Sequence, residues 1–94
     1  MTEQQFESIR DALEDTPSQA ANMKARAGLM MALRDVLEGW NLTQVEAAKR
    51  LGVTQPRLND LLRGRIDKFS LDALTILAAD AGLKVELSIS QTAA

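Results

Sequence analysis

Hydrophobic residues recur at helical spacing through most of this chain and switch to strict alternation only near its end. Met23, Ala27, Met30, Leu33, Leu37 and Trp40 form one stripe, widened by Leu29, Met31 and Val36. They predict a long helix from about Pro17 to Glu38. Thr16 stands as its cap, Pro17 takes the first position, and Gly39 closes it. Gly28 lies mid-helix at a cost of about 1 kcal/mol relative to alanine, so another backbone is expected to approach there. Three of the four methionines fall in this helix; they read either as core filler or as an adaptable surface. Ahead of it, Phe6, Ile9 and Leu13 mark a short helix from Thr2 to about Leu13. Three apolar residues are too few to hold a helix alone in water. The segment either docks on the domain or folds on a partner.

The stretch from Thr43 to Arg63 carries the densest local signals. Thr43 with Glu46 three residues on makes a capping box, opening a helix to Leu51. Thr54 caps a second helix running to about Leu62, with Pro56 in its first turn, where a missing N–H costs little. Gly52 between them can take the positive φ that so short a turn needs. Val53 and Leu58 form a hydrophobic staple around the second cap. Val45, Ala48 and Leu51 are expected to face inward from the first helix, and Leu58, Leu61 and Leu62 from the second. This combination predicts a helix-turn-helix. The alternative is a helical hairpin that serves only as scaffold. Trp40 is expected to pack beneath the motif.

Gly64 stops the second motif helix. Ser70 caps a further helix, with Phe69 and Leu74 as its staple and Leu71, Leu74, Leu77, Ala78 and Ala81 inward. Gly82 ends it in a left-handed cap, onto which Leu83 can fold back. From Lys84 to Ser90 the period becomes two, which predicts a strand. Nothing else in the chain offers that strand a partner, and its backbone groups require one. The same strand of a second copy, antiparallel about a two-fold axis, would supply it, with Val85, Leu87 and Ile89 covering both cores. A strand of another protein is the alternative. The expected architecture is mainly α: four to five helices and one C-terminal strand that pairs across a homodimer. Its parts are an acidic helical segment 1–22, a helix-turn-helix domain 23–83, a dimerisation strand 84–90 and a disordered tail 91–94.

Composition narrows the function. Ninety-four residues make one domain, and no apolar run approaches membrane-spanning length. No secretory signal is visible at the polar, acidic N-terminus, so a cytoplasmic location is expected. Cysteine and histidine are both absent. That removes thiol nucleophiles, disulfides, the usual metal ligands and the usual general base, so neither enzyme activity nor a cofactor or metal is expected. The net charge of −2 is unevenly spread. Residues 1–22 carry −4, residues 23–40 +1, residues 41–68 +3 and residues 69–94 −2. The basic excess coincides with the helix-turn-helix, as a nucleic-acid footprint does. It is small, which points to binding as a dimer.

Helix-turn-helix units place their second helix in the DNA major groove, with its N-terminal residues at the base edges. That end offers Thr54, Gln55 and Arg57; glutamine can pair bidentately with adenine, and arginine with guanine or phosphate. Gln44 opens the preceding helix near a phosphate position. The outward face also carries Asn59, Asp60 and Arg63. Asp60 would repel phosphate; it either accepts from a cytosine amino group or is solvated. Arg63, Arg65 and Lys68 cluster around the following loop, placed for flanking phosphates or simply solvated.

The run NLTQVEAAKRLGVTQPRLNDLLRG resembles the phage-repressor (XRE) class of helix-turn-helix proteins. The following IDKFSLDALTILAADAGLKVELSI resembles the smaller branch that acts as HigA-type antitoxins in bacterial toxin–antitoxin operons. The resemblance covers roughly Ala27 to Ile89. It implies a DNA-contacting set of Gln44, Thr54, Gln55 and Arg57, with Asn59 as an addition. Pro56 departs from the class, which often has a small polar base reader there, because proline cannot donate. The resemblance also implies a double-stranded operator as ligand and a small basic toxin as partner, with the acidic segment 1–22 its natural binding or shielding element. An autorepressing antitoxin, a stand-alone repressor and a protein-interaction module that no longer binds DNA are the three functions in competition.

Overall fold

Thr16 opens the first helix as the pattern predicts: its hydroxyl accepts the Gln19 N–H at 3.3 Å and Pro17 begins the helix. A computed structural model of the chain describes residues 16–91. The expected helix from Thr2 to Leu13 lies outside those residues, as does the end of the tail, 92–94. Among the described residues the order is α1 (Pro17–Trp40), α2 (Gln44–Leu51), α3 (Gln55–Leu62), a single 3-10 turn (Ile66–Lys68) and α4 (Leu71–Asp80).

The core is one cluster beneath α2 and α3. Helix α1 gives it Met30, Leu33 and Leu37; α2 gives Ala47, Ala48 and Leu51; α3 gives Leu58 and Leu61. Phe69 and the α4 residues Leu74, Leu77 and Ala78 close it. Helix α1 packs most extensively on α4, and α2 on α3. No polar or charged residue is buried among those described.

Capping accounts for the helix ends. The Thr43 hydroxyl accepts the Glu46 N–H at 3.2 Å while the Glu46 carboxylate accepts the Thr43 N–H at 3.4 Å. The hydroxyls of Thr54 and Ser70 accept from Arg57 and Ala73 in the same way. At the other ends, Val53, Arg65 and Leu83 donate back to Ala48, Asp60 and Ala78 around glycines of positive φ, the Schellman closure. Gly52, at φ +81°, turns the chain between α2 and α3, where any Cβ would strain the backbone.

Several expectations are corrected. Val45 is 56% exposed and Ala47 is buried in its stead. The inward arc of α2 centres on Ala47, Ala48 and Leu51, and Val45 lies about a third of a turn from it. Helix α1 runs past Gly39 to Trp40, and Asn41 supplies the left-handed residue at φ +55°; asparagine tolerates that region. Among the described residues none approaches Gly28, whose added Cβ would meet open space. Of the α1 methionines only Met30 is core, while Met23 and Met31 are exposed. Trp40 is half-buried against the core.

The strand expected over 84–90 is not formed: residues 83–91 carry no regular secondary structure. Leu87 and Ile89 are 85% and 84% exposed, and Val85 is exposed as well. A strand is defined by its ladder, and a single copy offers no partner among the described residues.

Candidate nucleic-acid interface

The first turn of α3 and its surroundings hold the residues singled out from the sequence. Thr54 and Gln55 are exposed there, and Gln44 is exposed at the first position of α2. Thr54 spends one oxygen lone pair on the Arg57 N–H at 3.2 Å, which leaves its hydroxyl proton available. The Gln55 amide is in solvent with two donors and an acceptor. Asn59 is half-buried on the next turn, and its carbonyl accepts the Arg63 N–H at 3.0 Å. Pro56 occupies the second position of α3, where it costs no helical hydrogen bond.

The basic residues divide into two groups. Arg63 and Lys68 have exposed side chains on either side of the loop that follows α3. Arg57 and Arg65 are engaged within the chain. Arg65 donates to the Asp60 carboxylate at 3.0 Å, and its backbone N–H donates to the Asp60 carbonyl at 3.0 Å. Asp60 is thereby neither a free solvated charge nor a bare repellent for phosphate. Arg57 donates to the Lys68 carbonyl at 2.8 Å, and its guanidinium lies 4.0 Å over the Phe69 ring.

A family model described as a helix-turn-helix domain matches residues 12–90. A solved structure of an XRE family transcriptional regulator superimposes with a TM-score of 0.72 at 30% sequence identity, over 79% of this chain and 83% of that one. The chain belongs to the XRE helix-turn-helix family. No match was found among curated proteins.

Sequence reasoning missed two cations of this XRE domain. Arg26, on α1, donates to the carbonyls of Ile66 at 3.2 Å and Phe69 at 3.5 Å, and to the Asn22 amide oxygen at 2.8 Å. The spacing of Asn22 and Arg26 was a visible clue to their own contact, but nothing local points from Arg26 to a turn forty residues on. Arg50, in the last turn of α2, lies 4.1 Å over the Trp40 ring. A lone tryptophan at the end of the preceding helix gave no register for that stacking. Among the described residues no cluster of acids could hold a metal, and no helix is long and apolar enough to cross a membrane.

Proposed function

We propose that the chain is a sequence-specific DNA-binding transcriptional regulator that inserts the N-terminal end of α3 into the major groove of an operator. The observation that carries this is the exposure of Thr54 and Gln55 on that end, and of Gln44 at the start of α2, in a chain of the XRE helix-turn-helix family. Gln55 reads a base, with Thr54 and Asn59 beside it, and Gln44, Arg63 and Lys68 hold phosphates. Arg65 contributes charge from within its pair with Asp60.

Two copies bind together, joined antiparallel through Val85, Leu87 and Ile89. The exposure of those three side chains in a single copy supports this reading. So does the thin basic excess of the motif, because phosphate neutralisation supplies much of the affinity for DNA. The regulator represses its own operon and neutralises a small basic toxin, for which the −4 charge of residues 1–22 is complementary.

DNA-affinity selection with the purified protein identifies the operator. Titration against operator and random duplexes at several salt concentrations then tests the reading. Gln55→Ala is expected to cost about 1–3 kcal/mol on the operator and little on random DNA. An equal loss on both duplexes removes Gln55 as a base reader, and the absence of any salt-dependent binding to either duplex removes DNA as the ligand. A neighbouring small basic reading frame whose toxicity is relieved by co-expression supports the antitoxin role; its absence leaves a stand-alone repressor.

A further inference from the structure

The turn Ile66–Lys68 and the following Phe69 are gripped from two sides by arginines of different helices. Arg26 of α1 takes the carbonyls of Ile66 and Phe69, while Arg57 of α3 takes the carbonyl of Lys68. Arg57 also stacks on Phe69, which is 1% exposed and part of the core. The backbone bonds of the turn itself are all local: Ile66 donates to Gly64, Lys68 to Arg65, and Phe69 to Ile66. A guanidinium can do both tasks at once because it is planar, stacks on a ring and donates in its own plane.

We propose that Arg57 is a positioning residue rather than a base reader: it locks the reading end of α3 to the 66–69 turn, so that Gln55 and Lys68 meet one duplex as a single rigid piece. The proposal rests on the DNA-binding reading for its functional half. Arg57 is the third residue of α3, next to Gln55 by one intervening residue, and its bond reaches the carbonyl of the very residue whose ammonium is offered to phosphate. Fixing that backbone limits where the Lys68 side chain can reach. A base contact by Arg57 would require it to leave both the carbonyl and the ring. A charge-assisted hydrogen bond and a stacked cation would be forfeited together.

The test uses the full chain with Arg57→Lys and Arg57→Met, read in two ways. Lysine keeps the charge but cannot stack and donate as the guanidinium does; methionine keeps a long apolar stem against Phe69. First, amide hydrogen exchange without DNA is compared at Lys68 and Phe69 against Leu77 in α4. Both variants are expected to exchange at least about tenfold faster at the two turn amides relative to Leu77, the effect of losing one charge-assisted hydrogen bond. Unchanged ratios overturn the proposal whatever DNA does.

Second, operator variants are ranked by affinity. Arg57→Lys is expected to weaken all of them by a similar factor, about tenfold, and to keep their order. Adding Lys68→Ala, which alone lowers the salt slope by about one, is expected to change the Arg57→Lys slope little. Loss of discrimination at a single base pair identifies Arg57 as a reader and overturns the proposal. A wild-type protein that binds no duplex refutes the regulator reading, while the exchange ratios still decide whether Arg57 holds the turn.

Discussion

Thr43 and Glu46 satisfy each other's backbone N–H groups at the start of α2, and both residues are exposed. The pair is therefore a local device with little packing behind it. Thr43→Ala is expected to cost about 1 kcal/mol of stability, the worth of a side-chain cap, visible as a lower urea midpoint; an unchanged midpoint assigns the cap no role. Gly28 makes the opposite case. It sits exposed inside α1 with open space where a Cβ would stand. Gly28→Ala is expected to raise the thermal midpoint, adding about 0.5–1 kcal/mol by lowering the entropy of the unfolded chain. A fall in the midpoint would show that something packs there after all.

The helices of the motif are expected to hold without the tail, because Leu83 is the last described residue packed on the core. Ending the chain at Leu83 is expected to leave a folded monomer by sedimentation while the full chain is a dimer; a dimer that survives the truncation refutes the tail as the joint. The register of the proposed joint is constrained. The Leu83 N–H is already donated to Ala78 at 2.9 Å, so pairing centred on Val85, which sets Leu83 against Leu87, forgoes a ladder bond. Centring on Glu86 sets two carboxylates face to face, which is unfavourable. Centring on Leu87 pairs every residue from 84 to 90. Leu87→Cys is then expected to crosslink across the axis under oxidation, and Glu86→Cys is not. At this scale the sequence is legible where caps and staples specify an end locally: Thr16, Thr43, Thr54, Ser70 and Gly82 all fall as expected. It is not legible where the outcome depends on a distant surface. Val45 has the same chemistry as a core residue, and only the position of α1 and α3 decides that Ala47 takes its place. The candidate site divides along the same line. Gln44 and Gln55 were legible as exposed helix-start residues, whereas the engagement of Arg57 and Arg65 needed the path of the loop.

As a whole the molecule carries a net charge of −2, with most of its basic excess in residues 41–68. Long-range attraction to a polyanion is weak for such a body, so in the proposed complex affinity has to come from contacts made in register, twice over if two copies bind. Hydroxyl-radical footprinting of the operator is expected to show two protected half-sites about 10 base pairs apart, or a multiple of that. A single protected half-site would mean that one copy binds alone. The sole tryptophan offers one more use. Trp40 closes α1, is half-buried, and lies beneath the guanidinium of Arg50 on α2. With no tyrosine in the chain, near-ultraviolet emission comes from that one indole, at the joint where the long helix hands over to the motif. The protein thus contains its own optical gauge: the colour and intensity of a single fluorophore follow whether those two helices stay seated, with no label added.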